Sequence, residues 1–379
     1  MSQEQAQPAI RTANVSVVDY ATLAQGGDCG ALIEAAFGPD GLGILAVANV
    51  PDIEARRARC LPLAFKVATL SDEVKQKYEL GSAYYSFGWS HGKESLQGKP
   101  DFSKGSYYNN PRTNRPTEDE HLMTTFPTMY HPNIWPTDEV PDLEPAFMSL
   151  GQLIIDTGLL VAKQCDAYVE SKCPTYEAGK LHRRITSSRV PCGRLLHYFA
   201  LDPKDTVPAP PTTTNSPMTE RDFSNWCGWH NDHSALTGLV QALFTDMDGN
   251  VVENPDPAAG LYIKTRRGNI VKAVIPTGHL VFQIGESSQI LTGGILQATP
   301  HAVRGPQVTG VNRETLAVFM SVEHDEPMRV PDTMDPHAAG QTTHLPAGVP
   351  SLLSRWKNSM LFHEFTAKTH KAYYDLQHQ

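Results

Sequence analysis

Cys227-Gly-Trp-His230-Asn-Asp232 and Thr299-Pro-His301-Ala-Val303 are the segments that most constrain how this chain can fold. Residues two apart in an extended strand point to the same face. His230 and Asp232 therefore aim at one point, and a strand far along the chain can bring His301 to it. Two imidazoles and one carboxylate are the facial ligand set of non-haem Fe(II), which leaves coordination positions open. Open positions suit a reaction in which O₂ and an organic co-substrate both reach the metal. The pattern H-x-D then H also arises by chance. Taken alone, His230 and Asp232 read equally as surface polar residues at a strand start, and His301 as a satisfied core histidine. The surroundings decide between these readings.

From about residue 183 to 325, short apolar runs (195–199, 236–244, 260–264, 280–284 and 316–322) alternate with turn signals such as Asp248-Gly249, Arg267-Gly268-Asn269 and Gly293-Gly294. Several short strands with regular turns predict a β sandwich, jelly roll or barrel. The first half reads differently. Residues 29–37 and 53–70 have helical periodicity, 41–49 form a short apolar strand bounded by glycine, and Ser71 caps a further short helix. Residues 80–145, rich in Pro, Asn, Tyr and Gly, read as irregular. The strongest helix spans 144–172, with Phe147, Leu150, Leu153, Ile154, Leu160 and Val161 on one stripe. A last helix covers 351–376. The long polar stretch 204–225 before the candidate metal strand has the makings of a lid. The expected division is a cap region over 1–180, a β core over 181–325 and a C-terminal extension over 326–379, together forming one structural unit.

Composition narrows the function. Of 379 residues, 40 % are hydrophobic and 19 % charged, and the net charge is -9. That is globular composition, with no long basic block to serve as a nucleic-acid footprint. No apolar run approaches the ~20 residues of a membrane span, and the polar N-terminus lacks an apolar signal core. Six scattered cysteines fit reduced thiols better than a disulfide framework. The expectation is a cytoplasmic protein that acts on a small molecule, with neither membrane nor nucleic acid as partner.

Beyond His301 comes Arg313-Glu-Thr315. In a strand, Arg313 and Thr315 share a face, and a guanidinium beside a hydroxyl cradles a carboxylate. The plainer reading pairs Arg313 with a structural acid. If His230, Asp232 and His301 hold iron, Arg313 and Thr315 are placed to hold the far carboxylate of a keto acid chelated to it.

Gly260-Leu-Tyr-Ile-Lys through Val281-Phe-Gln-Ile-Gly-Glu, then His301 and Arg313-x-Thr315, resemble the isopenicillin-N-synthase-like family of Fe(II)/2-oxoglutarate-dependent dioxygenases. Gly41-Leu-Gly-Ile-Leu, Asp72-Glu-Val-Lys-Gln-Lys-Tyr and Asn133-Ile-Trp-Pro extend the likeness over roughly residues 12–375. The resemblance implies a mainly β, α+β fold: a distorted double-stranded β-helix (jelly-roll, cupin-like) core with an N-terminal helical cap region and a C-terminal helix. It implies Fe(II) on His230, Asp232 and His301, 2-oxoglutarate on Arg313 and Thr315 (Thr replacing the family's Ser), and O₂ as oxidant. Succinate and CO₂ would accompany hydroxylation or desaturation of a small organic molecule. Asp232 argues against a halogenase, which needs that carboxylate vacated.

Two departures stand out. Many members carry N-x-Y before the loop, the Tyr touching 2-oxoglutarate. Here the segment is Leu196-His197-Tyr198-Phe199, with Phe199 expected at the Tyr position and Tyr198 or His197 as substitutes. The loop after Phe199 is also long. Candidate pocket residues are Tyr85, Phe87, Trp89 and His91, from a segment where the family often lines its substrate site, together with Gln283, Gln297 and Arg304. Two other readings remain: an oxidase of the same fold that uses no 2-oxoglutarate, with Arg313 and Thr315 on the substrate's own carboxylate, and a non-catalytic sensor. Neither the substrate nor the oligomeric state has a signature in this sequence.

Overall fold

Short strands with alternating faces need a second sheet to cover them, and the chain supplies two. The computed structural model describes residues 10–96, 99–201 and 219–377. The strands that frame the core are β1 (Thr12–Asn14), β2 (Ser16–Asp19), β3 (Ile44–Ala48), β4 (Gly88–His91), β5 (Lys104–Asn109), β6 (Cys192–Tyr198), β7 (Cys227–His230), β8 (Leu236–Leu239), β9 (Leu243–Thr245), β10 (Gly260–Lys264), β11 (Ile270–Val274), β12 (Leu280–Ile284), β13 (His301–Arg304) and β14 (Asn312–Met320). The smaller sheet runs β1-β11-β10-β13-β7, and the larger runs β2-β3-β12-β8-β14-β6-β5-β4, with β9 also on β14. The β1–β11 and β2–β3 pairs are parallel, and the other pairs on these paths are antiparallel. The two sheets form a distorted double-stranded β-helix with a cavity between them.

The larger sheet draws on the whole chain. β3 pairs with β12, and β5 pairs with β6. Strands from residues 1–180 thus widen the core sheet itself. This corrects the irregular reading of 80–145, which holds both β4 and β5. Period-two alternation is hidden there because both faces are covered: Gly88, Trp89 and Ser90 are all buried, as are Lys104 through Tyr107.

The helices are α1 (Gly30–Phe37), α2 (Ile53–Cys60), α3 (Pro62–Ala68), α4 (Leu143–Lys172), α5 (Lys180–Ser187), α6 (Glu286–Leu291) and α7 (Phe362–Gln377), with shorter turns between them. The expected 53–70 helix is two, because Pro62 opens a new first turn. Ser71 Oγ accepts the Val74 N–H, capping the short helix Asp72–Gln76. α4 buries Phe147, Leu150, Ile154 and Val161. It lies so close to the larger sheet that a Cβ on Gly238 would stand 2.2 Å from Ile154 Cγ2. By length and composition α4 matches a membrane span, contrary to the expectation that no run approaches one; most of that stretch is buried, the pattern of a core helix. The C-terminal 351–376 helix is also two pieces, Leu352–Arg355 and α7, separated by extended chain whose Met360–Leu361 pairs with Pro327–Met328. Of the expected lid, 204–218 lie outside the described residues, and the remainder carries a tight turn at Glu220–Phe223. All six cysteines are free.

Candidate metal centre

β7 ends at His230, β13 begins at His301, and the register pairs these two residues directly. Their ring centroids lie 4.3 Å apart. Asp232, two residues past His230, brings Oδ1 to 3.7 Å from His230 Nε2 and 3.9 Å from His301 Nε2. Ligands each about 2.1 Å from one ion lie at most about 4.2 Å apart, so these spacings fit a shared cation. Each ring is oriented from behind. His230 Nδ1 donates to the Gly228 carbonyl at 2.8 Å, and His301 Nδ1 donates to the Thr299 carbonyl at 3.3 Å. A carbonyl only accepts, so Nδ1 of each ring carries a proton and Nε2 is the atom turned toward Asp232, the one with which a metal ligand binds.

The electrostatics suit a bound cation. Asp232 Oδ2 is buried without a hydrogen-bond partner, a costly state for a carboxylate that a cation relieves. Burial, with His230 beside it, pushes His301 down to about 4, so this ring is neutral near pH 7. At His230 burial also disfavours charge, but the Cys227 sulfur 3.8 Å away and the Asp232 carboxylate outweigh it and push the ring up to about 9. The proton held there occupies the place of a metal ion, whose binding releases it.

A cavity of about 990 Å³ opens from these three residues between the sheets. Alternation brings Arg194, Leu196 and Tyr198 to it from β6, and Arg313, Thr315, Ala317 and Phe319 from β14. Arg313 stacks over the Tyr198 ring at 4.9 Å. Its Nη1 is buried with no hydrogen-bond partner, and no carboxylate among the described residues makes an ion pair with it. The guanidinium thus fits an incoming carboxylate. Thr315 faces the same way, but its hydroxyl donates to the Val240 carbonyl at 3.1 Å. Between them Glu314 points to the opposite, buried face, where it meets His197 Nδ1 and Thr245 Oγ1, each at 3.0 Å.

Phe199 does not stand at the cavity. It lies past the end of β6 against the rings of His91 and His197, at 4.9 and 4.5 Å. The inward position belongs to Tyr198, so the cavity keeps a phenol. Burial, with the Cys227 sulfur near, raises its pKa and keeps it protonated at neutral pH.

Of the seven pocket candidates, Tyr85, Phe87, Trp89, His91, Gln297 and Arg304 lie outside the cavity lining. Tyr85 takes a left-handed backbone (φ 60°) and packs under Lys93 Nζ, 4.6 Å from its ring. Phe87 is buried against His131, and Trp89 fills the space over Gly105 as part of the main core. Arg304 points away because His301 and Val303 take the inward positions of β13, and it neighbours Tyr262. Gln283 does line the cavity, with its Oε1 unpartnered, whereas Gln297 turns to the Gly294 carbonyl. Arg194 escaped the sequence reading, although alternation back from Tyr198 points to it. It donates from Nε to Ser106 Oγ at 3.0 Å and from Nη2 to Glu94 Oε1 at 2.6 Å, while Lys104 Nζ holds the other Glu94 oxygen at 3.3 Å.

No family model matches the chain, and no curated protein matches it. Solved structures do. A protein of Caulobacter crescentus assigned to the 2OG-Fe(II) oxygenase family superposes with a TM-score of 0.64 at 18% identity, covering 94% of this chain and 98% of that one. A full-length protein of Neurospora crassa, solved in complex with alpha-KG and thymine, gives 0.62 at 16% identity over 95% and 97%. JOX2 in complex with 2OG, Fe and JA gives 0.58 at 16% identity over 96% and 87%. At these identities the likeness establishes the fold: that of 2OG-Fe(II) oxygenase structures.

Proposed function

We propose that this chain is a non-haem Fe(II)- and 2-oxoglutarate-dependent dioxygenase that oxidises a small organic molecule. The observation that carries the reading is one cavity holding both a converging His-Asp-His set and a half-buried arginine whose Nη1 has no hydrogen-bond partner. Each lacks the partner that the other half of the reaction would bring. The fold shared with the Neurospora crassa protein and JOX2, whose complexes hold alpha-KG or 2OG, supports the same reading.

Bound Fe(II) would supply oxygen activation and the oxidative decarboxylation that turns 2-oxoglutarate into succinate and CO₂. The chain's own groups do the rest. His230, Asp232 and His301 hold the metal on one face and leave the cavity side open. Arg313 takes the distal carboxylate of 2-oxoglutarate, and the Tyr198 ring keeps the guanidinium from swinging away. Thr315 joins once its hydroxyl leaves the Val240 carbonyl. Leu196, Leu239, Val281, Val303 and Ala317 line the space between with apolar surface, which excludes water from the reacting groups. Arg194, braced by Glu94, gives the substrate a polar contact further along β6.

The oxidase reading without 2-oxoglutarate would gain from Phe199 at the cavity in place of the family's phenol. With Tyr198 inward, that support is gone. The deciding experiment is an anaerobic titration of Fe(II)-loaded protein with 2-oxoglutarate, followed by the visible charge-transfer band of a chelated keto acid. The expected result is a band that is absent in Asp232→Ala. Iron binding without a band moves the assignment to the oxidase, and absence of iron binding removes both.

A further inference from the structure

The alternation that sends His230 and Asp232 into the cavity sends Asn231 and His233 out of it, and both meet the C-terminal segment. The Asn231 backbone N–H donates to the Tyr373 hydroxyl at 2.8 Å. Its side-chain Nδ2 donates to Glu286 Oε1 at 3.0 Å. The same Glu286 oxygen accepts from Arg355 Nη2, and Arg355 Nη1 donates to Thr369 Oγ1 of α7 at 2.9 Å. The Glu286 N–H in turn donates to the Asp232 carbonyl at 2.8 Å. The His233 ring sits 6.1 Å from that of Phe362 and 5.2 Å from that of His370, both on α7. Asn231, Glu286 and Arg355 are all buried, and none of them lines the cavity.

We infer that α7 is a working part of the metal centre: Tyr373, together with Asn231, Glu286 and Arg355, positions the turn that carries two of the three ligands. The inference rests on the metal site proposed above. The peptide of Asn231 lies between His230 and Asp232, so its rotation would swing both side chains off a common point. Two hydrogen bonds, one from its N–H and one from its side chain, oppose that rotation. The first comes from α7, and the second from Glu286 at the start of α6, which Arg355 of the C-terminal segment holds in place. A buried N–H that loses its acceptor carries the full cost of its desolvation. The turn would relieve that cost by moving, and ligand geometry would go with it. Tyr373 and its partners are positioning residues that touch neither substrate nor metal.

The test is an anaerobic titration of metal-free, full-length protein with Co(II), reading the dissociation constant and the visible d–d bands. Tyr373→Phe deletes only the hydroxyl, and Asn231→Ala deletes the link to Glu286. Groups that orient metal ligands typically contribute roughly 10- to 100-fold in affinity, and a loss of that order is expected in both variants. The d–d bands should shift and the metal-free melting temperature should stay near that of the parent. Tyr373→Phe at parental affinity, within about threefold, overturns the role of α7, whatever happens in Asn231→Ala. Failure of the parent to bind Co(II) or Fe(II) at all is a different result: it removes the metal site itself, and with it the proposed function.

Discussion

The two ends of the cavity are built by different rules. At the metal end, backbone pairing sets the convergence, and Tyr373 and Glu286 brace it from behind through Asn231. β7 and β13 are paired in register, two carbonyls hold the imidazoles, and short side chains leave little room for error. At the clamp end, a long arginine lies on a tyrosine ring, and the neighbouring hydroxyl is engaged by a backbone carbonyl. The first arrangement is all-or-none, because three groups must converge within a few tenths of an ångström. The second is graded, because one long cation can shift and still reach its anion. The same sheet architecture thus separates a rigid site from an adjustable one.

Asp232→Ala gives the largest effect expected: metal-dependent turnover and Co(II) binding should both vanish, measured by succinate formation and by metal titration. Retained turnover would mean that the convergence of three ligands is not what matters at this end. Arg313→Ala comes next. Removing one partner of a buried charged pair costs about 2–4 kcal/mol, roughly a 30- to 1000-fold rise in the half-saturating concentration of 2-oxoglutarate. Co(II) affinity should stay at the parental value; a parallel fall would show that the two ends are not independent. Thr315→Val should cost about tenfold or less in the same measurement, the worth of a single hydrogen bond, since its proton already serves Val240. A larger loss would show that the hydroxyl contributes more than a single hydrogen bond to holding the ligand. Tyr198→Phe, which keeps the ring under the guanidinium, should change 2-oxoglutarate affinity only a few-fold; a change as large as that of Arg313→Ala would make the phenol the main anchor.

The parts of the site that follow strand alternation were legible in the sequence. His230 with Asp232, and Arg313 with Thr315, needed only the rule that residues two apart share a face. The spans 260–264 and 280–284 coincide with β10 and β12 because glycine and proline punctuate them. Where the sequence misled, the cause was register or burial. Counting placed Phe199 inward, but β6 ends at Tyr198 and its inward series is 194, 196 and 198. The aromatic stretch at 85–89 looked like a pocket wall because bulky rings suit either a ligand or a core, and Trp89 went to the core. Arg194 with Glu94, and Tyr373 with Asn231, are meetings of segments far apart in the chain. No local pattern announces such pairs.

The order of strands in the larger sheet sets a timetable for the newborn chain. β3 can lay one edge on β2 as soon as both exist, but its other edge waits for β12. β5 needs β6, and β6 needs β14. Pairings between such distant segments make folding slow, because the loops between them must close first. Until residue 284 has left the ribosome, the apolar strand Ile44–Ala48 presents an open edge on which other chains could aggregate. The same timetable makes the cavity one of the last things to exist: the strand that bears Arg313 is the one that completes the sheet.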